Sequence, residues 1–244
     1  MKTLLSISIL IFLWWIVSHS FDLSLILPTP EETLSSLIGY LSSFETYRAI
    51  FSTILKSVLV SILAIAFGVP LGFFMGLNRT FMELLKPVIT VVQAVPIVSW
   101  LALVIFTWGI GWRGPVAIGV VSLMPSVVFN TMEGVRSVDK DLVEMARVYE
   151  VSRLKTLRMI YLGSLVPFIT ASLNLIAGNV WKVVLVAEFL CGDTGIGVEI
   201  SWARQSVDVP AVYALTVIGV SLGLLSERIV RFSTRRLERR WGIC

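Results

Sequence analysis

The chain has 244 residues, of which 56% are hydrophobic and only 15% charged, and its mean hydropathy is +0.88. A soluble domain carries roughly one-quarter charged residues, so these figures exclude an ordinary aqueous globule and point to an all-α, polytopic membrane protein. The net charge of +4 is then a matter of membrane topology and membrane lipid, with no nucleic-acid partner implied.

A membrane-spanning helix needs about 20 predominantly apolar residues. Six uncharged runs approach that length, at 3–21, 57–78, 87–112, 114–132, 159–181 and 209–226, and predict six transmembrane helices. The first run, which follows Lys2 and ends near Ser18-His19-Ser20, fits either a cleaved leader or a retained span. Trp14, Trp15 and the apolar residues continuing to Leu27 favour retention. The loop 22–48, with Pro28, Pro30, Glu31 and Glu32, predicts a helix on the outer surface.

In the second run, Ala64, Gly68, Gly72 and Gly76 recur at intervals of four. Small residues spaced in this way line one helix face and let a second backbone come close, because lipid supplies no hydrophobic drive between helices. Tight packing and a gating hinge both fit the stripe. Pro70 is expected to kink this helix, and Pro96 and Pro125 to interrupt the third and fourth spans. Tryptophans at 100, 108, 112 and 202 fall near span boundaries, as interface anchors do.

Between the fourth and fifth runs lies VDKDLVEMARVYEVSRLKTLRMIYL, residues 138–162, dense in charge. At 100° per residue, Leu142, Met145, Ala146 and Tyr149 share one face, while Lys140, Asp141, Glu144 and Arg147 cover the other. Val143, Val148 and Val151 are exceptions. Asp139 fits an N-cap. Ser152 fits a second one, opening a short basic helix through Arg153, Leu154, Lys155, Leu157 and Arg158. Helices this short are marginal in water, so their apolar stripe must pack on something. In the fifth run and just beyond it, Asn174, Gly178, Lys182 and Glu188 project within about 120° of one another. Charges at membrane depth usually face protein or water, which marks these four as candidates for a translocation path. Snorkelling of Lys182 to the boundary is the alternative.

Basic residues in short loops set orientation. One side collects Lys2, Arg79, Lys86, the cations between 136 and 158, and six tail arginines; the other has Arg48, Arg113 and Arg204, with Lys56 at a span edge. Both termini and the charged segment are thereby expected in the cytoplasm. Cys191 and Cys244 then lie on opposite sides and form no intramolecular disulfide. Neither cysteine nor the lone His19 has metal-ligand spacing. No G-x-x-x-x-G-K-[ST] phosphate loop occurs, so any ATP must be bound by another chain.

Residues 144–162 resemble the "EAA" loop of the membrane subunits of ATP-binding-cassette importers, E-A-A-x3-G-x9-I-x-L-P. Glu144, Ala146, Ile160 and Leu162 are in register, while Met145, Glu150 and Gly163 depart from the pattern. SWLALVIFTWGIG (99–111), NTMEGVRSVDKDLVEMAR (130–147) and GNVWKVVLVAEFLCGDTGIGVEI (178–200) resemble permeases of the nitrate/sulfonate/taurine branch. The likeness implies a type I ABC importer permease domain over 50–231, with the coupling loop at about 137–162. A first helix and outer loop (1–49) precede it, and a basic cytoplasmic tail (232–244) follows.

The same likeness implies a homodimer in a prokaryotic inner membrane. Two ATPase subunits dock below, and an extracytoplasmic solute-binding protein delivers substrate above. ATP and Mg²⁺ belong to the ATPase; this chain carries no cofactor, metal or catalytic residue. In that family the helix bearing Glu144 enters a groove on the ATPase and moves as a rigid body. Carried over, Glu144 and Ala146 are the contact positions, with Leu142, Met145 and Tyr149 packed behind or beside them. If the family glycine at position 150 is left-handed, Glu150 costs about 1–2 kcal/mol there. Branch members handle small anions, sulfonates and pyrimidine or thiamin precursors. Lys182 and the helix ends near 192–197 favour an anionic or polar solute. An ion-coupled secondary transporter is the rival; it would need carboxylates in mid-span, and none of the six runs holds one.

Overall fold

The computed structural model describes residues 2–20 and 26–240. Cys244 and the start of the expected outer loop, Asp22 included, lie outside the described residues. Those described form helices and no strands: α1 (Lys2–Ser20), α2 (Pro30–Ser42), α3 (Phe44–Leu77), α4 (Arg79–Ala94), α5 (Ile97–Trp108), α6 (Arg113–Arg136), α7 (Lys140–Val148), α8 (Arg153–Thr156), α9 (Leu162–Cys191), α10 (Ile196–Gln205) and α11 (Val209–Arg240).

Four of the apolar runs fall on helices long enough to span a bilayer, α3, α6, α9 with its N-terminal extension, and α11. The third run does not form one straight span. It is divided between α4 and α5, which meet at 90°. Pro96 is the cause: its ring disfavours helix at the residue before it, and Val95 is extended at φ −68°, ψ 125°. Pro70 and Pro125 lie inside uninterrupted α3 and α6, so the expected break in the fourth span is absent. The first run falls on α1, a helix of 19 residues, of which residues 8–20 form an apolar helix among the described side chains.

The core is a three-helix packing of α3, α6 and α9, with α5 against α6 and with α10 and α11 against α9. The small residues of α3 lie on α6. Ala64 is fully buried, a Cβ on Gly68 would stand 2.8 Å from the Val127 Cβ, and one on Gly72 would collide with the Val128 carbonyl oxygen. At Gly76 the obstruction is Val135.

The expected surface helix is α2, opened by a capping box. The Glu32 amide donates to Thr29 Oγ1 (3.2 Å), and the Thr29 amide donates to Glu32 Oε2 (2.9 Å). Helix α1 is tied to it by Trp15 Nε1, which donates to Glu31 Oε1 (2.9 Å); Trp14 Nε1 donates to the Pro28 carbonyl just before it (3.0 Å), and the Trp14 ring stacks on Tyr213 of α11. The described part of the basic tail simply continues α11 to Arg240.

The second short helix expected after Ser152 is not a separate element. α8 runs through a π-turn at Leu157–Tyr161 into α9, with the Leu162 amide bonded to the Leu157 carbonyl five residues back. The basic residues there therefore extend the fifth span. One short helix, α7, carries the coupling pattern.

Candidate functional site

Two features bracket α9: the α7 arm at its beginning and a buried ion pair at its end. The arm starts where the Asp139 carboxylate accepts the Asp141 amide (2.9 Å), which satisfies a donor that the first helical turn leaves free. It closes with paired bonds, Val151 amide to Ala146 carbonyl (2.8 Å) and Glu150 amide to Arg147 carbonyl (3.1 Å). That is a Schellman motif. Its left-handed position falls on Glu150, at φ +51°, where glycine would be unstrained.

The arm has two adjacent apolar stripes. Ala146 is 5% exposed and Val138 is also buried, while Val143 is half-buried; these anchor the arm to its own chain. Leu142, Met145, Val148 and Tyr149 are open, the last at 76% exposure. Ala146, carried over as a contact position, is turned inward against its own chain. Leu142, Met145 and Tyr149, expected behind or beside it, form the free face. Glu144 is exposed and makes no ion pair among the described residues.

At the far end of α9, Glu188 is 1% exposed. Lys56 of α3, 3% exposed, donates to Glu188 Oε1 at 2.9 Å and also to the Thr194 carbonyl. Thr53 Oγ1 donates to Glu188 Oε2 (2.9 Å) and accepts the Ile196 amide (2.9 Å). The Gly197 amide donates to Glu188 Oε2 (3.1 Å). The loop between α9 and α10 is thus wrapped on one carboxylate. It passes Gly195 at φ +120°, where any Cβ would strike the Glu188 side chain.

The four expected path residues consequently separate. Glu188 is enclosed by its own chain. Asn174 accepts from Thr234 Oγ1 of α11 (3.3 Å). Gly178 borders open space, and Lys182, one turn on, is exposed with no partner among the described residues. Lys56, Thr53 and Thr194 were not singled out by sequence. The signal available was a lysine and a glutamate on different apolar segments, each needing an opposite charge. Measuring Lys56 from a run boundary hid it, since α3 begins twelve residues earlier at Phe44.

The two ends differ in sign. Beside α10 lies a recess with Glu45 and Glu199; burial, and then Glu45, hold the Glu199 carboxyl above its ordinary value. Around α7 the recess is lined by Arg79, Arg136, Lys140 and Arg147.

A family described as binding-protein-dependent transport system inner membrane component matches residues 68–239, which include α7 and α9. The chain belongs to that family. A protein of Brucella melitensis named as a probable ABC transporter permease is 27% identical to this permease over 235 residues, covering 96% of this chain and 94% of the relative. The taurine transport system permease protein of Escherichia coli is 25% identical over 239 residues, 95% of this chain and 86% of its own length. With sulfonate and nitrate permeases also among its relatives, this permease falls in the nitrate/sulfonate/taurine branch of ABC importers.

Among solved structures, a chain of the bacterial alginate ABC transporter, in complex with an alginate pentasaccharide-bound periplasmic protein, superposes with a TM-score of 0.70. Its identity is 14%, and the match spans 97% of this chain and 95% of that one. A chain of an inward-facing methionine ABC transporter gives 0.65 at 14% identity, over 81% of this chain and 96% of that one. At such identities the likeness establishes the fold, an all-helical type I importer permease.

Proposed function

We propose that this permease is the translocation subunit of an ABC importer in a prokaryotic cytoplasmic membrane, with α7 and both termini inside. Two copies line the path, each docks one ATPase subunit that holds ATP and Mg²⁺, and an extracytoplasmic binding protein delivers a small polar or anionic solute to the α10 side. The carrying observation is the free apolar face of α7, Leu142, Met145 and Tyr149, beside a Glu144 that makes no ion pair among the described residues. A nine-residue helix does not sustain such a face alone in water, and a groove on a partner gives it a place to pack. Closure of two ATPases draws the two arms together. Each arm is tied by a single turn to α9, so its displacement reaches the membrane helices.

The sign of charge supports the sidedness, because basic loops stay inside. Lys182 supports the substrate class: an exposed ammonium on an apolar helix attracts an anionic group. The relatives' names, taurine, aliphatic sulfonates, nitrate and bicarbonate, fit that chemistry. The buried Lys56–Glu188 pair is an intramembrane charge of the kind ion-coupled carriers use, yet its bonds are made within this chain, which favours a structural role.

The test is Met145→Asp. Co-purification of the ATPase should fall by about tenfold, as for an aromatic or apolar anchor lost from an interface core, while insertion and dimer formation persist. Undiminished ATPase binding, or uptake without any ATPase, would overturn the reading.

A further inference from the structure

The cleft between α7 and the membrane helices is a strongly charged cavity that the coupling mechanism leaves unused. It has a volume of about 680 Å³, and its cations Arg79, Arg136, Lys140 and Arg147 face one carboxylate, Glu144. They come from three places in the chain, the start of α4, the end of α6 and the length of α7, and converge on a single concavity. Basic loop residues placed only for orientation have no reason to do so. Arg79 bonds outward to the exposed Glu83 (2.8 Å) and Arg136 rests on the Met82 sulfur. Lys140 and Arg147 have no charged partner among the described residues.

The depth of the cleft identifies its occupant. It opens where α3 stops at Leu77 and α6 at Arg136, so the cations stand where the apolar helices end, the level at which a bilayer spanned by those helices would place its phosphates. Leu77 in its wall and Phe74, three residues earlier on α3, are exposed apolar side chains of the kind that meet acyl chains. A cluster of arginines at that level matches a phosphodiester in charge and in its forked hydrogen bonding, and basic pockets between membrane helices take anionic headgroups.

We infer that this cleft holds the phosphate headgroup of an anionic phospholipid of the leaflet facing α7. The lipid sits as a wedge between the coupling arm and the helix bundle. It neutralises Lys140 and Arg147, which lie four residues before and three after Glu144 on the same helix, and so leaves Glu144 free for a partner. The inference rests on the proposed orientation only for which leaflet supplies the lipid.

The experiment uses the assembled transporter in nanodiscs of phosphatidylcholine, with or without one-quarter phosphatidylglycerol, and reads lipid retained after detergent extraction by native mass spectrometry. The wild type should keep phosphatidylglycerol in preference to phosphatidylcholine. Arg79→Gln with Arg136→Gln, both off the coupling arm, should lower retention by roughly an order of magnitude, and Arg79→Lys with Arg136→Lys, which keeps the charge but not the forked donors, should restore only part of it. Tail substitutions Arg228→Gln and Arg235→Gln should leave it unchanged. Equal loss in the tail variant, no preference in the wild type, or full displacement by inorganic phosphate alone would each overturn the inference. So would loss of ATPase binding in the Gln pair with lipid retention intact, since the cleft would then belong to the ATPase. A permease that fails to bind ATPase in the first place, but keeps the lipid, overturns only the coupling reading.

Discussion

Glu150 carries the clearest single-residue consequence. Its φ of +51° puts an ordinary side chain in the left-handed region, at about 1–2 kcal/mol, with no ion pair to offset it among the described residues. Glu150→Gly should therefore raise the thermal midpoint of the detergent-solubilised permease. A sharp fall in uptake with normal assembly would show instead that the carboxylate is used. The Lys56–Glu188 pair behaves in the opposite way. Removing one member leaves a buried charge alone, a loss of about 3–5 kcal/mol, so Lys56→Met should impair accumulation of folded protein. Joining it with Glu188→Leu should recover part of that loss, because no orphaned charge remains. A double variant as unstable as the sum of the singles would show that the hydrogen bonds to Thr53 and Gly197 matter more than the charges.

At the scale of elements, the α3–α6 contact is set by absent side chains. Gly72 meets the Val128 carbonyl oxygen, a backbone atom that cannot rotate away, so Gly72→Ala must separate two helices. The expected loss is about 1–3 kcal/mol, typical of an overpacked core, measured as a lowered unfolding midpoint; an unchanged midpoint would mean that the helices part freely. The stripe was legible because its period of four is local to the sequence. The 90° turn between α4 and α5 was only half legible. Pro96 announced an interruption, as Pro125 also did, but whether a proline bends or breaks a helix depends on what the neighbouring helices do with the freed backbone groups. The inward choice of Val143 and Ala146 on α7 was hidden for a similar reason. Two adjacent stripes on one short helix are equally apolar, and only the bundle decides which of them it covers.

For the whole molecule, basic and acidic recesses lie at opposite ends of α9, and on the proposed reading Lys182 is a point of substrate contact between them. Lys182→Gln should reduce uptake of an anionic substrate several-fold and leave ATPase co-purification intact, since the side chain lies on α9, well along that helix from the end next to α7. Unchanged uptake would reassign the lysine to snorkelling at the membrane boundary.

Sequence alone determined the membrane class, the helical secondary structure, the small-residue face of α3 and the amphipathic pattern of α7. Each of these is written in composition or in spacing along a single segment, where lipid and helix period act residue by residue; the family and the out-of-place Glu150 came instead from likeness to known permeases. Tertiary structure decided the partner of Glu188, the side of α7 left open, the left-handed turn beneath Glu150 and the convergence of four cations on one cleft. Those depend on residues far apart in the chain, Lys56 and Glu188 among them, that meet only when the helices pack, and no local period encodes which two will meet.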